Sequence, residues 1–385
     1  MSSDTSQQCV MIIAGEASGD LHGAKVVRAM NDAGGPIFFC GIGGEAMAAA
    51  GVRILVDASD LAVVGITEAV AKAGALLGGL ATARGALKTL HPDLLILIDF
   101  PDFNLQVARA AKKRGIPVLY YISPQIWAWR QGRVKKMKKL VDHMAVILPF
   151  EASFFEKADI PVSFVGHPLL DIPTEAQADR KEDQDPRQEG PIVGLLPGSR
   201  NGEIRRHLPE MLASARILSG RMPGVKFILS AAPAMDERFL ETTCSDHAGE
   251  VDIDIETGDV TRIFNRCALV VAASGTVTLE AAIAGVPMVV IYRISSFSGH
   301  LVRALIRVKY VCLANLIADK EIVPELLQQD ASAENIADKV FTLISDVSEL
   351  DRMRSELLDL RQLLGGPGAS RRVADIALGM MRDKA

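Results

Sequence analysis

The stretch LLILIDFPDFNLQ, residues 94–106, sets five large aliphatic residues in a row and then turns acidic, with Asp99 and Asp102 on either side of Pro101. A strand with one wet face would alternate apolar and polar residues. A run that is apolar throughout fits a strand covered on both faces, as in a parallel sheet. Runs of the same character recur as CVMIIAG (9–15), IFFCGIGG (37–44), VLYYIS (118–123), MAVILPF (144–150) and VSFVGHP (162–168). Helix-period segments such as LQVARAAKKRG (105–115) lie between them. Alternating β and α units argue a doubly wound α/β architecture.

The pattern stops at residues 173–190, PTEAQADRKEDQDPRQEG, where nine of eighteen residues are charged, and this segment reads as a linker. It restarts with IVGLLPGSR (192–200), VKFILSAAP (225–233), VDIDIET (251–257), ALVVAASG (268–275) and VPMVVIYR (286–293). The expected organisation is two Rossmann-like domains, 1–172 and 191–347, facing across a cleft. A helical tail, 348–385, is expected to pack back on the first. Open parallel sheets bind ligands beyond the carboxyl ends of their strands, so two such domains suit a two-substrate reaction.

At 385 residues the chain is long enough for two cores. Its net charge of −5 gives no general attraction to nucleic acid. No apolar run approaches the roughly 18–20 residues of a spanning helix. The first eight residues, MSSDTSQQ, do not resemble an export signal, and five scattered cysteines fit reduced core residues of a cytoplasmic protein. One local exception to the charge balance is RQGRVKKMKK (130–139), with six basic residues including Arg130 and Arg133. It reads either as a solvated helix face or as a surface for phosphates or an anionic membrane.

Three loops are candidates for chemistry. AGEASGDLHG (14–23) lacks the G-x-G-x-x-G spacing of a dinucleotide site. Ser18 or Asp20 there is either a plain helix cap or a group that positions a polar acceptor. In LLPGSRNGEI (195–204), Gly198 allows close backbone approach, Ser199 leads into a helix start suited to an anion, and Arg200 adds a forked cationic donor. In ASGTVTLE (273–280), Ser274, Gly275 and Thr276 head a helix that carries Glu280 on the same face as Thr276. The amides suit a diphosphate, and the carboxylate suits the hydroxyls of an adjoining ribose. Asp252 and Asp254 alternate with aliphatic residues and read as the wet face of an edge strand, so no metal is expected there. His22 and His167 read as local hydrogen-bonding residues, with His167, near the linker, left open.

These motifs resemble the lipid-A-disaccharide synthase family. The resemblance rests on AGEASGD, GIGGEAM, AVVGITE, IDFPDFN, YYISPQIWAWRQGRVKKM, LPFE, LLPGSR, ASGTVTLE, MVVIYR and LANLIA, which occur in that order over nearly the whole chain. It implies a GT-B fold, no cofactor, no metal, and an inverting transfer. UDP-2,3-diacylglucosamine would react with 2,3-diacylglucosamine 1-phosphate to give a β(1→6) disaccharide 1-phosphate and UDP. It also implies sensitive positions at Asp99, Arg200, Glu280 and Asn315, the last of these in LANLIA. Phe100 departs from the family pattern, which usually has Ala there.

Inversion needs one base opposite the leaving group. Asp99 is the expected base, Asp102 its alternate or orienting partner, and Asn104 a sugar-binding or capping residue. Residues 73–90 and 300–311 mix aliphatics with Arg and Lys at helical spacing, either as core helices or as interfacial ones. With the basic run they suggest peripheral docking on the inner membrane from the cytoplasm. The resemblance also leaves a homodimer open. The rival readings are a UDP-N-acetylglucosamine epimerase, a transferase with a polyprenyl acceptor, and a non-catalytic nucleotide- or lipid-binding module.

Overall fold

The computed structural model describes residues 7–61, 73–129, 131–171, 190–231, 235, 237–249, 251–294 and 309–382. The chain divides into two compact units, one within Met1–Ile172 together with Leu364–Ala385, the other within Pro173–Leu363. The first is built on seven strands: β1 (Gln8–Ala14), β2 (Ile37–Gly43), β3 (Arg53–Asp57), β4 (Leu94–Ile98), β5 (Val118–Tyr121), β6 (His143–Val146) and β7 (Val162–Phe164). All pairings are parallel, in the order β3-β2-β1-β4-β5-β6-β7.

The opening stretch explains this sheet. Every residue of β4 is buried, and successive side chains serve opposite faces. Leu95 and Leu97 join a core containing Leu87, Phe103 and Val107, from the helices Ala73–Thr89 and Pro101–Lys112. Leu94, Ile96 and Ile98 join a second core with Val26, Val27 and Met30 of helix Ala17–Ala33 and Val373 and Ala377 of helix Ala369–Arg382. Each such aliphatic contributes about 1.5–3 kcal/mol by leaving water. An alternating strand could not have closed both layers.

The second unit repeats the scheme with β8 (Ile192–Leu196), β9 (Lys226–Ala231), β10 (Ile253–Thr257), β11 (Leu269–Ala273), β12 (Met288–Tyr292) and β13 (Glu325–Leu327). It too is wholly parallel, in the order β10-β9-β8-β11-β12-β13. In each sheet the chain reverses its direction of growth once, between β1 and β4 in the first and between β8 and β11 in the second. The loops after such a pair splay apart and leave a crevice, the usual ligand position of open α/β sheets. The loops so placed are those that begin at Gly15, Asp99, Pro197 and Ser274.

The tail divides differently from the expected boundary at 348. Helix Val347–Leu363 stays with the second unit, where Leu358 packs over Gly285. Only the chain from Leu364 onward belongs to the first. A polar latch holds it there. The Asp171 carboxylate accepts from the amides of Gly368 (2.6 Å), Ala369 (3.2 Å) and Ser370 (3.3 Å) at the start of helix Ala369–Arg382. Arg372 donates to the carbonyls of Val165 (2.7 Å), Gly366 (2.6 Å) and Pro367 (2.9 Å). Most of the expected linker, 173–189, lies outside the described residues, as do 300–308 of the second interfacial candidate. In the first candidate, helix Ala73–Thr89 buries Leu80, Ala83 and Leu87 and leaves Leu77, Arg84 and Lys88 exposed.

Asp171 caps this helix from nearly two hundred residues away. Asp171→Ala is expected to destabilise the docked helix by roughly 1–2 kcal/mol, the usual loss for a removed N-terminal cap. Hydrogen exchange is expected to show this as faster opening of residues 369–382, with the second unit unchanged.

Candidate functional site

After Ile98 the backbone turns through two consecutive left-handed residues, Asp99 (φ 43°) and Phe100 (φ 47°), before helix Pro101–Lys112 begins. Each costs on the order of 1–2 kcal/mol for a side chain other than glycine, so the corner persists only because its surroundings fix it. The Asp99 carbonyl accepts from Asn104 Nδ2 at 2.7 Å and from Tyr120 Oη at 2.5 Å. Asn104 Nδ2 also reaches the Ile98 carbonyl at 3.2 Å. Burial, then the nearby Asp99 carboxylate, raises the Tyr120 phenol well above its usual range, so its proton stays in place as a donor. The Phe100 ring stacks on Phe103, with centroids 5.1 Å apart, and lies directly on Gly15 of the first loop.

This arrangement corrects two expectations. Asn104 is fully buried, and where a sugar contact or helix cap was expected its Nδ2 holds the Ile98 and Asp99 carbonyls and shapes the Asp99 corner, while its Oδ1 has no partner among the described residues. Asp20 does not cap its own helix, whose N-cap position is Glu16. Its two oxygens accept from the amides of Gly44 (2.7 Å), Ala46 (2.9 Å) and Met47 (3.2 Å), pinning the loop after β2. Ser18 is exposed in the first turn of helix Ala17–Ala33, which follows β1. Asp102 is exposed and paired with Arg133 at 2.7 Å, so this carboxylate and this expected phosphate contact meet each other. Arg130 lies outside the described residues.

A residue not singled out from the sequence also shapes this edge. Glu151, buried in the first turn of helix Pro149–Glu156, accepts from Ser123 Oγ (2.6 Å), Trp127 Nε1 (3.0 Å) and the amides of Ile147 (3.3 Å) and Leu148 (3.0 Å). Burial lifts its carboxyl above the usual range although four donors face it. Its signal was the Glu of LPFE at the third position of a helix, which reads as a capping residue. His167 accepts from the Leu169 amide through Nδ1 at 3.2 Å. Burial is the main cause that lowers both His167 and His22 to about 4, so both rings are neutral near pH 7.

In the second unit, Pro197–Arg200 and Ser274–Thr276 follow the adjacent parallel strands β8 and β11. Gly198 has φ 111°, a conformation open mainly to glycine, and Ser199 and Arg200 are exposed. Arg200 precedes helix Asn201–Arg221 and contacts Glu203 at 3.3 Å. Gly275 and Thr276 are exposed at the start of helix Thr276–Ile283, while Ser274 Oγ donates to the Val311 carbonyl at 3.1 Å. Glu280 is half-buried on that helix, with no side-chain hydrogen bond or ion pair among the described residues. Burial, then the charge of Asp259, raises its carboxyl above the usual range.

Asn315 is different. Its Oδ1 accepts from the amides of Ile322 (2.8 Å) and Val323 (3.0 Å), and its Nδ2 donates to the Val323 carbonyl and to Glu325 Oε1, both at 2.8 Å. All four of its hydrogen-bonding positions are filled. Glu325 in turn accepts from the amides of Val311 (2.8 Å) and Cys312 (3.0 Å), next to the carbonyl that Ser274 holds. Direct contact with a sugar nucleotide is replaced by a chain of support from Asn315 through Glu325 to the Ser274 turn. Asp254 of β10 pairs with Arg266 at 2.9 Å, as the wet face of an edge strand would.

A family model described as lipid-A-disaccharide synthetase matches residues 10–376. The chain belongs to the lipid-A-disaccharide synthase family. The synthase of Geobacter metallireducens is 45% identical over 380 residues, 97% of this chain and 98% of that protein. The synthase of Nitrosococcus oceani is 42% identical over 381 residues, 98% of this chain and 97% of that one. Membership of the lipid-A-disaccharide synthase family makes the chain a glycosyltransferase. Among solved structures, a UDP-GlcNAc 2-epimerase from Neisseria meningitidis bound to UDP-GlcNAc has a TM-score of 0.65 at 12% identity, covering 97% of this chain and 100% of that one. MurG of Acinetobacter baumannii has a TM-score of 0.62 at 16% identity, covering 97% and 100%. At such identities these likenesses establish the GT-B type of fold alone.

A Cβ on Gly15 would stand 2.3 Å from the Phe100 ring. Gly15→Ala is therefore expected to destabilise the chain by roughly 1–3 kcal/mol, as overpacking does. Adding Phe100→Ala is expected to relieve that clash, so that in denaturant unfolding the double variant loses less than the two single losses summed.

Proposed function

We propose that the chain condenses UDP-2,3-diacylglucosamine with 2,3-diacylglucosamine 1-phosphate, forming a β(1→6)-linked, tetra-acylated disaccharide 1-phosphate and UDP. One observation carries the reading. Asp99 follows β4 at the point where one sheet reverses its direction of growth, and two anion-suited loops, with Glu280 behind the second, follow β8 and β11 at the corresponding point of the other. Family membership supports the same substrates.

In this mechanism Asp99 accepts the proton of the acceptor 6-hydroxyl as its oxygen attacks the anomeric carbon. Attack comes from the face opposite the diphosphate, so the configuration inverts as the C–O bond to UDP breaks. The departing charge needs no proton. Arg200 and the helix-start amides at Ser274–Thr276 neutralise it, a preorganised arrangement in which one lost donor costs roughly 2.7–4 kcal/mol. Glu280 accepts the ribose hydroxyls. Asp102, tied to Arg133, sets the charge beside the base.

Both substrates carry acyl chains, and the protein meets them by docking peripherally on the cytoplasmic face of the inner membrane. Leu77 with Arg84 and Lys88, and the exposed lysines 135, 136, 138 and 139, support that docking. Among the described residues no helix is long and apolar enough to cross a membrane.

Asp99→Asn is expected to lower kcat by roughly 10²–10⁴, the range for loss of a general base, while the Kd for UDP stays within about twofold. Unchanged turnover would remove Asp99 from the chemistry. Because burial raises Glu280, protonation of this group favours the ligand-free fold and ionisation favours ribose binding. Its contribution to the stability of the empty protein is complete below the ordinary carboxylate range and is lost as pH rises through the raised value. UDP affinity runs the other way and is expected to fall as pH drops through that value. Calorimetric titration of wild type against Glu280→Gln checks this, since the variant is expected to lack this component of the pH dependence.

A further inference from the structure

His207 was not singled out by any motif, yet it is completely buried one turn into helix Asn201–Arg221. Its Nε2 lies 3.0 Å from the Arg293 amide, and its Nδ1 lies 3.0 Å from the Pro197 carbonyl. A backbone N–H can only donate and a carbonyl can only accept. Nε2 is therefore the acceptor, and Nδ1 carries the proton. The neutral tautomer is dictated by its two partners, and burial, the largest cause, holds the ring below its usual range.

The two partners sit at the ends of β8 and β12, which flank β11 on either side. One imidazole thus ties together the segments that bracket the Ser274–Thr276 turn. The Arg293 end is itself braced: its side chain pairs with Glu210, and its carbonyl accepts from Arg206 Nε at 3.1 Å. Glu210 also accepts from the Ala333 amide at 3.0 Å. The Pro197 end leads through Gly198 to Arg200, whose guanidinium contacts Glu203. The charged groups facing the ring are Glu203, Arg206 and Arg293, and the Tyr292 ring lies 6.1 Å away.

We infer that His207 is a positioning residue for the UDP leaving group, fixing the Pro197–Arg200 loop against β12 so that Arg200 and the adjoining amides converge on one diphosphate. The inference rests on the reading of that loop as a diphosphate site. It makes His207 act on UDP only through the loop, and chiefly by placing Arg200, the one charged donor there.

A double-mutant cycle on the full chain tests it, with UDP binding read by calorimetry and folding checked by thermal unfolding. Arg200→Ala is expected to weaken UDP binding roughly tenfold, as loss of a charge-assisted contact does. His207→Phe keeps an aromatic ring but loses both bonds, and is expected to raise the UDP Kd roughly five- to tenfold, in line with one or two lost hydrogen bonds. In the Arg200→Ala background the same change is expected to cost less than about twofold, with the KM for the acylated acceptor unaltered throughout. A general structural role would instead give equal losses in both backgrounds, and that result overturns the inference, as does an unchanged Kd in His207→Phe. If Arg200→Ala leaves UDP binding intact, the diphosphate reading fails and the inference with it; if only His207→Phe is silent, the inference alone fails. Should His207→Phe not fold, His207→Gln, which retains one donor and one acceptor, is read by the same coupling, with an intermediate loss expected.

Discussion

The carbonyl oxygen of Asp99 is the point on which the first unit's active edge turns. Two left-handed residues in succession are unfavourable for any chain without glycine there, and Asn104 and Tyr120 hold the corner from opposite sides. Asn104 comes from the helix that the corner starts, and Tyr120 from the neighbouring strand β5. Sheet, turn and helix are therefore registered to a single oxygen. The corner that carries the Asp99 side chain is thus fixed through its own backbone carbonyl.

Counting hydrogen-bonding capacity separates support from contact in both units. Asn315 has every position filled, and Asp20, Glu151 and His207 are engaged at both ends of their polar groups by protein partners. Asp20, Glu151 and His207 anchor loops that follow strands, and Asn315 anchors the segment that leads into β13. Glu280 and the guanidinium of Arg200 lie nearer the surface, the first half-buried and the second exposed. An amide such as Asn315 can thus be sensitive to substitution without touching substrate, because its loss would leave buried amides and Glu325 unmatched. The Gly15–Phe100 contact follows the same logic in apolar form. The Phe100 ring fits because the facing residue, Gly15, has no side chain.

Much of the fold was legible because strands covered on both faces announce themselves as unbroken aliphatic runs. Strands β3 and β13 were not, since RILVD and ELL are short, half-exposed edge strands with charged ends and no such pressure. The loops were found by their glycines, hydroxyls and charges, but sequence spacing could not show where each side chain's hydrogen bonds would end. Asp20, Asn104 and Asn315 have the composition of ligand contacts, and only their folded partners show that they hold the protein itself: 24 to 27 residues along the chain for Asp20, 5 to 10 for the two amides. His207 carried no local signal at all, because its partners lie 10 and 86 residues away.

The return of the last helix to the first unit has a consequence for biosynthesis. Val373, Ala374, Ala377 and Leu378 complete a core whose other members, Val26, Val27 and Met30, leave the ribosome early. The second unit alone, Pro173–Leu363, takes roughly 10–40 s to translate at ordinary elongation rates. Throughout that interval one layer of the nascent amino-terminal lobe stays uncovered. The middle of the polypeptide can mature first, and the lobe that emerged earliest is sealed only after termination.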